Sequence, residues 1–130
     1  MTGRTVCRAR VEDLAVVRAR LPKDTPYYPL SARTPAVGEP IRVGGYPGRR
    51  WTASSGRVTQ VISSAIPGGR RIRSPMIVFR PALSPGASGA PVLNRREQLV
   101  GIFVASNRAE NYSIAFPTVT ALRACRSYLK

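Results

Sequence analysis

The part of the chain best suited to covalent chemistry reads Pro85-Gly86-Ala87-Ser88-Gly89-Ala90-Pro91-Val92-Leu93. A serine hydroxyl is too weakly acidic to attack a carbonyl unaided. It needs an exposed place on a tight turn and backbone amides aimed at the oxyanion that develops. Gly86 and Gly89 permit such a turn about Ser88, and they leave room for a substrate carbonyl. Gly86 also lets its own N–H point inward beside that of Ser88. An ordinary Gly/Ser/Pro loop has the same composition, so the segment alone decides nothing.

The elements that must position this loop are short and extended. With 12 prolines and 11 glycines in 130 residues, long helices are a poor fit and many strands joined by turns a good one. Alternation or apolar runs place strands at 5–10, 14–17, 41–46, 52–64, 76–79, 92–93, 99–104 and 112–116. Turns are expected at Glu12, Pro47-Gly48, Pro67-Gly68-Gly69 and over 94–97. Residues 21–40, with five prolines, read as an irregular surface connection. The C-terminus reads as a helix, with Thr118 as N-cap and Val119, Leu122, Cys125 and Leu129 at helical spacing.

Around the serine loop, further segments fall in a telling order. Glu12-Asp13-Leu14-Ala15-Val16-Val17 comes first, then Ala36-Val37-Gly38-Glu39-Pro40-Ile41-Arg42-Val43-Gly44-Gly45-Tyr46-Pro47 and Ser55-Gly56-Arg57-Val58. Leu99-Val100-Gly101-Ile102 and Ser113-Ile114-Ala115-Phe116-Pro117 follow the loop. Together these resemble the chymotrypsin/trypsin-like serine proteases, and most of all their HtrA/Deg branch, from about Val6 to Leu129. The resemblance implies an all-β fold: a single six-stranded antiparallel Greek-key barrel, an incomplete form of the two-barrel enzyme, with a C-terminal α-helix. It divides the chain into 1–20, a remnant of the first barrel, 21–40, a connecting loop, and 41–130, the second barrel.

By the same resemblance Ser88 is the nucleophile, and the N–H groups of Gly86 and Ser88 form the oxyanion hole. Asp13 is the acid that orients the catalytic histidine. Ala82 and Leu83 form the floor of the primary specificity pocket, and Ser113, Ile114 and Ala115 belong to the substrate-binding strand. An apolar floor suits small aliphatic side chains before the scissile bond. Ala87 stands where trypsin-type enzymes have the aspartate that captures a new N-terminus, so activation by N-terminal insertion is not expected.

The departure from the family is chemical. The chain contains no histidine, and only a dozen residues precede Asp13. Loss of that base costs several orders of magnitude in rate. Lys23 in the connection and Lys130 at the terminus are poorly placed to replace it. The chain is thus expected to be a serine endopeptidase that is inactive, or nearly so, on its own. A half-protease that binds peptide through the old substrate edge is the alternative.

The charge keeps a third reading in view. Twenty-one Lys and Arg against six Asp and Glu give +15, nearly all of it arginine. Such a surplus suits phosphate, yet the cations are dispersed rather than massed, so a primary nucleic-acid role is set aside. No cofactor is implied, and two cysteines without histidine make no metal site by the four-ligand rule. Cys7 and Cys125 are either one disulfide or two buried thiols, and the reading favours thiols. No apolar run is long enough to span a membrane, and no signal peptide is visible. The expected partners are a peptide or protein substrate, and a missing N-terminal segment or a second copy to cover apolar surface that a lone barrel exposes.

Overall fold

The computed structural model describes residues 3–10, 14–45, 52–63, 75–84 and 86–129. Eight strands lie among them, numbered here in chain order: β1 (Gly3–Ala9), β2 (Leu14–Ala19), β3 (Pro40–Gly45), β4 (Thr52–Ile62), β5 (Met76–Arg80), β6 (Pro91–Leu93), β7 (Leu99–Asn107) and β8 (Tyr112–Pro117). The pairings among these eight strands are all antiparallel. β1 and β2 form a hairpin of their own, and the other six close into a barrel in the order β3-β4-β5-β8-β7-β6. The expected strands are therefore present, and the all-β barrel is the fold. Glu12, Asp13 and the turns at Pro47-Gly48 and Pro67-Gly68-Gly69 lie outside the described residues.

Alternation explains the barrel interior. Ile41 and Val43 of β3, Val58 of β4, Ile77 and Phe79 of β5, Val92, Val100, Phe103 and Ala115 form one buried cluster, with Leu83, Ala87 and Ala90 from the serine loop joining it. Phe79 and Phe103 meet edge to face, with ring centroids 6.4 Å apart. β5 is apolar on both faces for a separate reason. Met76, with Ile114 and Phe116 of β8, forms a second cluster, against which Leu14 of the hairpin, Ile62, Val104 and Tyr112 pack. A strand covered on both sides reads as a continuous apolar run. Gly101 is required where β7 crosses β8: a Cβ there would stand 3.0 Å from the Phe116 carbonyl oxygen and 3.2 Å from Ile77.

Two expectations need correction. The C-terminal segment is a single α-turn, α1 (Thr118–Ala121), followed by a 3-10 helix (Arg123–Tyr128) rather than one α-helix. Thr118 is buried, and its hydroxyl donates to the Leu99 carbonyl at 3.0 Å instead of capping a helix. Two of its four α1 residues are β-branched threonines and one is valine, poor helix formers beyond a single turn. Cys7 and Cys125 are joined in a disulfide, with Cα atoms 5.7 Å apart, and are not free thiols. That bond fastens β1 to the 3-10 helix.

Residues 20–39 run irregularly over the surface, as expected. They are tied to the barrel where the Ser31 N–H donates to Leu99 O and the Leu99 N–H to Pro29 O. Large apolar side chains stay exposed on the hairpin and this connection, Val17 at 57% and Tyr27 at 84% among them.

Candidate functional site

The loop around Ser88 is held open by glycine. Gly86 and Gly89 have φ of +94° and +88°, the left-handed region that L side chains rarely occupy. Ala87 between them points inward and is buried in the barrel core. The chain then turns back: the Ala90 N–H donates to Ala87 O at 2.9 Å. β7 clamps the turn, with Gly89 N–H donating to Phe103 O at 2.8 Å and Phe103 N–H to Ala90 O at 2.9 Å. A buried Ala87 thus anchors the loop while Ser88 stands exposed at its apex.

The amides sort into two kinds. Those of Gly89 and Ala90 are consumed by the turn. Those of Gly86 and Ser88 donate to no protein acceptor among the described residues. The Ser88 hydroxyl donates to the carbonyl of Val104 at 3.2 Å. A carbonyl oxygen accepts a hydrogen bond but does not take a proton near neutral pH, so this contact holds the hydroxyl without activating it.

Behind the loop, 81–84 lines a small cavity of about 110 Å³ together with Val43, Gly45, Ser54 and Ala87. Ala82 and Leu83 both line it. Three polar side chains fix this segment. The Ser113 hydroxyl accepts from Leu83 N–H and donates to Pro81 O, both at 3.0 Å. Asn111 Oδ1 accepts from Ala82 N–H at 3.0 Å, and the Ser106 hydroxyl donates to Leu83 O at 2.9 Å. Ser113 and Ala115 are fully buried and Ile114 nearly so. Ser113 therefore reaches the pocket segment from behind, while Ile114 and Ala115 pack into the two apolar clusters.

Ser106 and Asn111 escaped the reading of the sequence. Asn111 sits at φ +56° in the turn before β8, a conformation asparagine tolerates, so its turn role was legible while its reach to Ala82 was not. Asp13 lies outside the described residues. Its neighbour Leu14 packs on the same apolar cluster as Val104, whose carbonyl holds Ser88.

A family model described as a trypsin-like peptidase domain matches residues 2–102. The chain belongs to that family. Solved structures agree on the fold. Rv3671c from M. tuberculosis, as an inactive serine-to-alanine form, superposes with a TM-score of 0.76 at 17% identity, over 96% of this chain and 63% of its own. The HtrA-type protease AlgW, with a decapeptide, gives 0.79 at 22% identity, over 98% of this chain and 40% of its own. The MamO protease domain from Magnetospirillum magneticum gives 0.74 at 17% identity, over 98% and 67%. No curated protein sequence matches the chain. This trypsin-like domain spans less than two thirds of the first of these structures. Among the described residues no helix is long and apolar enough to cross a membrane.

Proposed function

We propose that this trypsin-like domain is the nucleophile-bearing part of a serine endopeptidase of the HtrA type, dormant by itself for want of a histidine. Residues 1–20 are then the last hairpin of the first barrel, 21–40 its connection and 41–130 the second barrel. Ser88 attacks the scissile carbonyl, the amides of Gly86 and Ser88 receive the oxyanion, and Asp13 orients an imidazole supplied from outside these 130 residues. Ala82 and Leu83 accept a small aliphatic side chain, with Ser113, Ile114 and Ala115 behind them. The observation that carries the reading is the glycine-flanked turn itself, with an exposed serine and two amides that serve no acceptor among the described residues.

A fluorophosphonate probe tests it. The chain alone is expected to stay unlabelled at Ser88. The same chain preceded by its upstream reading frame is expected to label there, if that frame encodes strands and a histidine. Stoichiometric labelling of the chain alone would overturn the dormancy. A stop codon directly upstream of Met1, with no labelling in any context, would remove the enzyme and leave a peptide-binding module. That second reading needs no general base, since an extended peptide pairs along a strand through backbone hydrogen bonds.

A further inference from the structure

Away from Ser88, the outer face of β3, β4 and β5 forms a concavity of about 720 Å³ into which Arg42, Arg57, Arg80 and Arg95 all project. We propose that this groove binds a small ligand carrying a condensed phosphate group, of the inorganic pyrophosphate or nucleoside diphosphate kind. The proposal does not depend on hydrolysis at Ser88.

The strand register brings the arginines together. Arg57 and Arg80 are direct partners across the β4–β5 pair. The adjoining pair, Val58 and Phe79, faces the core, so both arginines face outward together. Directly opposed like charges destabilise a sheet. Arg42 lies on the same face of β3, where it pairs with Ser55, while Arg57 pairs with Pro40. Three arginines thus stem from one face of three consecutive strands, neighbouring strands lying roughly 4.8 Å apart, and Arg95 adds a fourth from the β6–β7 turn.

Little in the protein neutralises them. Among the described residues no carboxylate lies within ion-pair distance of Arg57, Arg80 or Arg95, and Arg42 meets only Glu97, loosely at 3.8 Å with both side chains exposed. Arg57 is oriented in advance, because its Nη1 donates to the Gly38 carbonyl at 2.9 Å. Among the described residues the other guanidinium nitrogens of Arg57, and those of Arg80 and Arg95, meet no acceptor and can serve a ligand.

Shape and chemistry choose that ligand. A single carboxylate satisfies one guanidinium fork, whereas a condensed phosphate offers oxygens to several at once. The volume suits a small molecule. Gly56 lines the groove between the arginines, and Pro40 and Pro81 supply apolar walls.

The test is calorimetric titration with inorganic pyrophosphate at fixed ionic strength, on the wild type and on Arg57→Gln, Arg80→Gln and Arg95→Gln. Saturable 1:1 binding is expected, weakened about tenfold or more by each groove substitution. Arg126→Gln, on the 3-10 helix outside the groove, is expected to change nothing. Arg80→Gln is also expected to raise the melting temperature of the ligand-free protein, since it relieves the opposed charges. Arg95 lies in a turn, so its substitution reports on binding even where a strand substitution perturbs folding. A nucleoside diphosphate binding as tightly as pyrophosphate, or more tightly, supports the site and shows whether the apolar walls take a base. The absence of saturable pyrophosphate binding would overturn the proposal. So would an equal loss on Arg126→Gln, or duplex DNA binding that weakens equally with every arginine removed, since either is attraction by net charge alone.

Discussion

The hydroxyl of Ser88 donates a hydrogen bond to the carbonyl of Val104, 3.2 Å away on β7. In a working triad the acceptor would be imidazole, which takes the hydroxyl proton; a backbone carbonyl cannot. Ser88 should behave as an ordinary surface serine. Wild type and Ser88→Ala are expected to hydrolyse an activated ester at the same rate, and to differ in stability by no more than about 0.5 kcal/mol. A pre-steady-state burst seen only in the wild type would contradict this.

Gly86 and Gly89 are under a backbone constraint rather than a steric one. No atom lies within 4 Å of where a Cβ would sit at either position, yet both have φ near +90°. Gly86→Ala and Gly89→Ala are each expected to cost about 1–2 kcal/mol in urea unfolding, from left-handed strain alone. Gly56→Ala should cost more, because its Cβ would overlap the Arg80 carbonyl oxygen. A ranking with Gly56→Ala mildest would show that β4 and β5 shift apart readily.

The strands were legible because burial follows period two along β3 and two-sided cover along β5, and both leave a plain mark on residue type. The Ser88 loop was legible because its glycines answer a local demand on φ. The terminal segment misled because Val119, Leu122 and Cys125 repeat every three residues, a spacing that a 3-10 turn satisfies as well as an α-helix. The disulfide was illegible: its cysteines are 118 residues apart and meet only once the hairpin folds back on the barrel. Ser106 was hidden in the same way, since its partner, the Leu83 carbonyl, is 23 residues away in sequence.

Ser113 holds the pocket segment with both of its hydrogen-bonding capacities. Ser113→Ala would strand the buried Leu83 N–H and free the Pro81 carbonyl. The expected cost is about 1–3 kcal/mol, the penalty for an unsatisfied buried donor. The amide of Leu83 should also exchange faster with deuterium. Asn111→Ala, whose bond to Ala82 is exposed, should cost less than half as much. If the two substitutions cost the same, the bracing from β8 is not what holds 81–84 in place.

The hairpin and the barrel should differ in stability. A two-stranded hairpin is marginally stable alone in water. β1 and β2 bury only Ala9 fully among their described side chains; Leu14 packs on the second apolar cluster, and the Cys7–Cys125 bond ties β1 to the 3-10 helix. Closing so long a loop stabilises the fold by roughly 2–5 kcal/mol. Replacing both cysteines with serine is therefore expected to lower stability by that amount while leaving the barrel closed. Amide protection should fall across β1 and β2 and persist in β5, β7 and β8, which lie at the centre of the two apolar clusters. Loss of protection in every strand at once would mean that hairpin and barrel fold as one unit. The hairpin would then be a structural part of the barrel rather than an appendage held by a covalent tie.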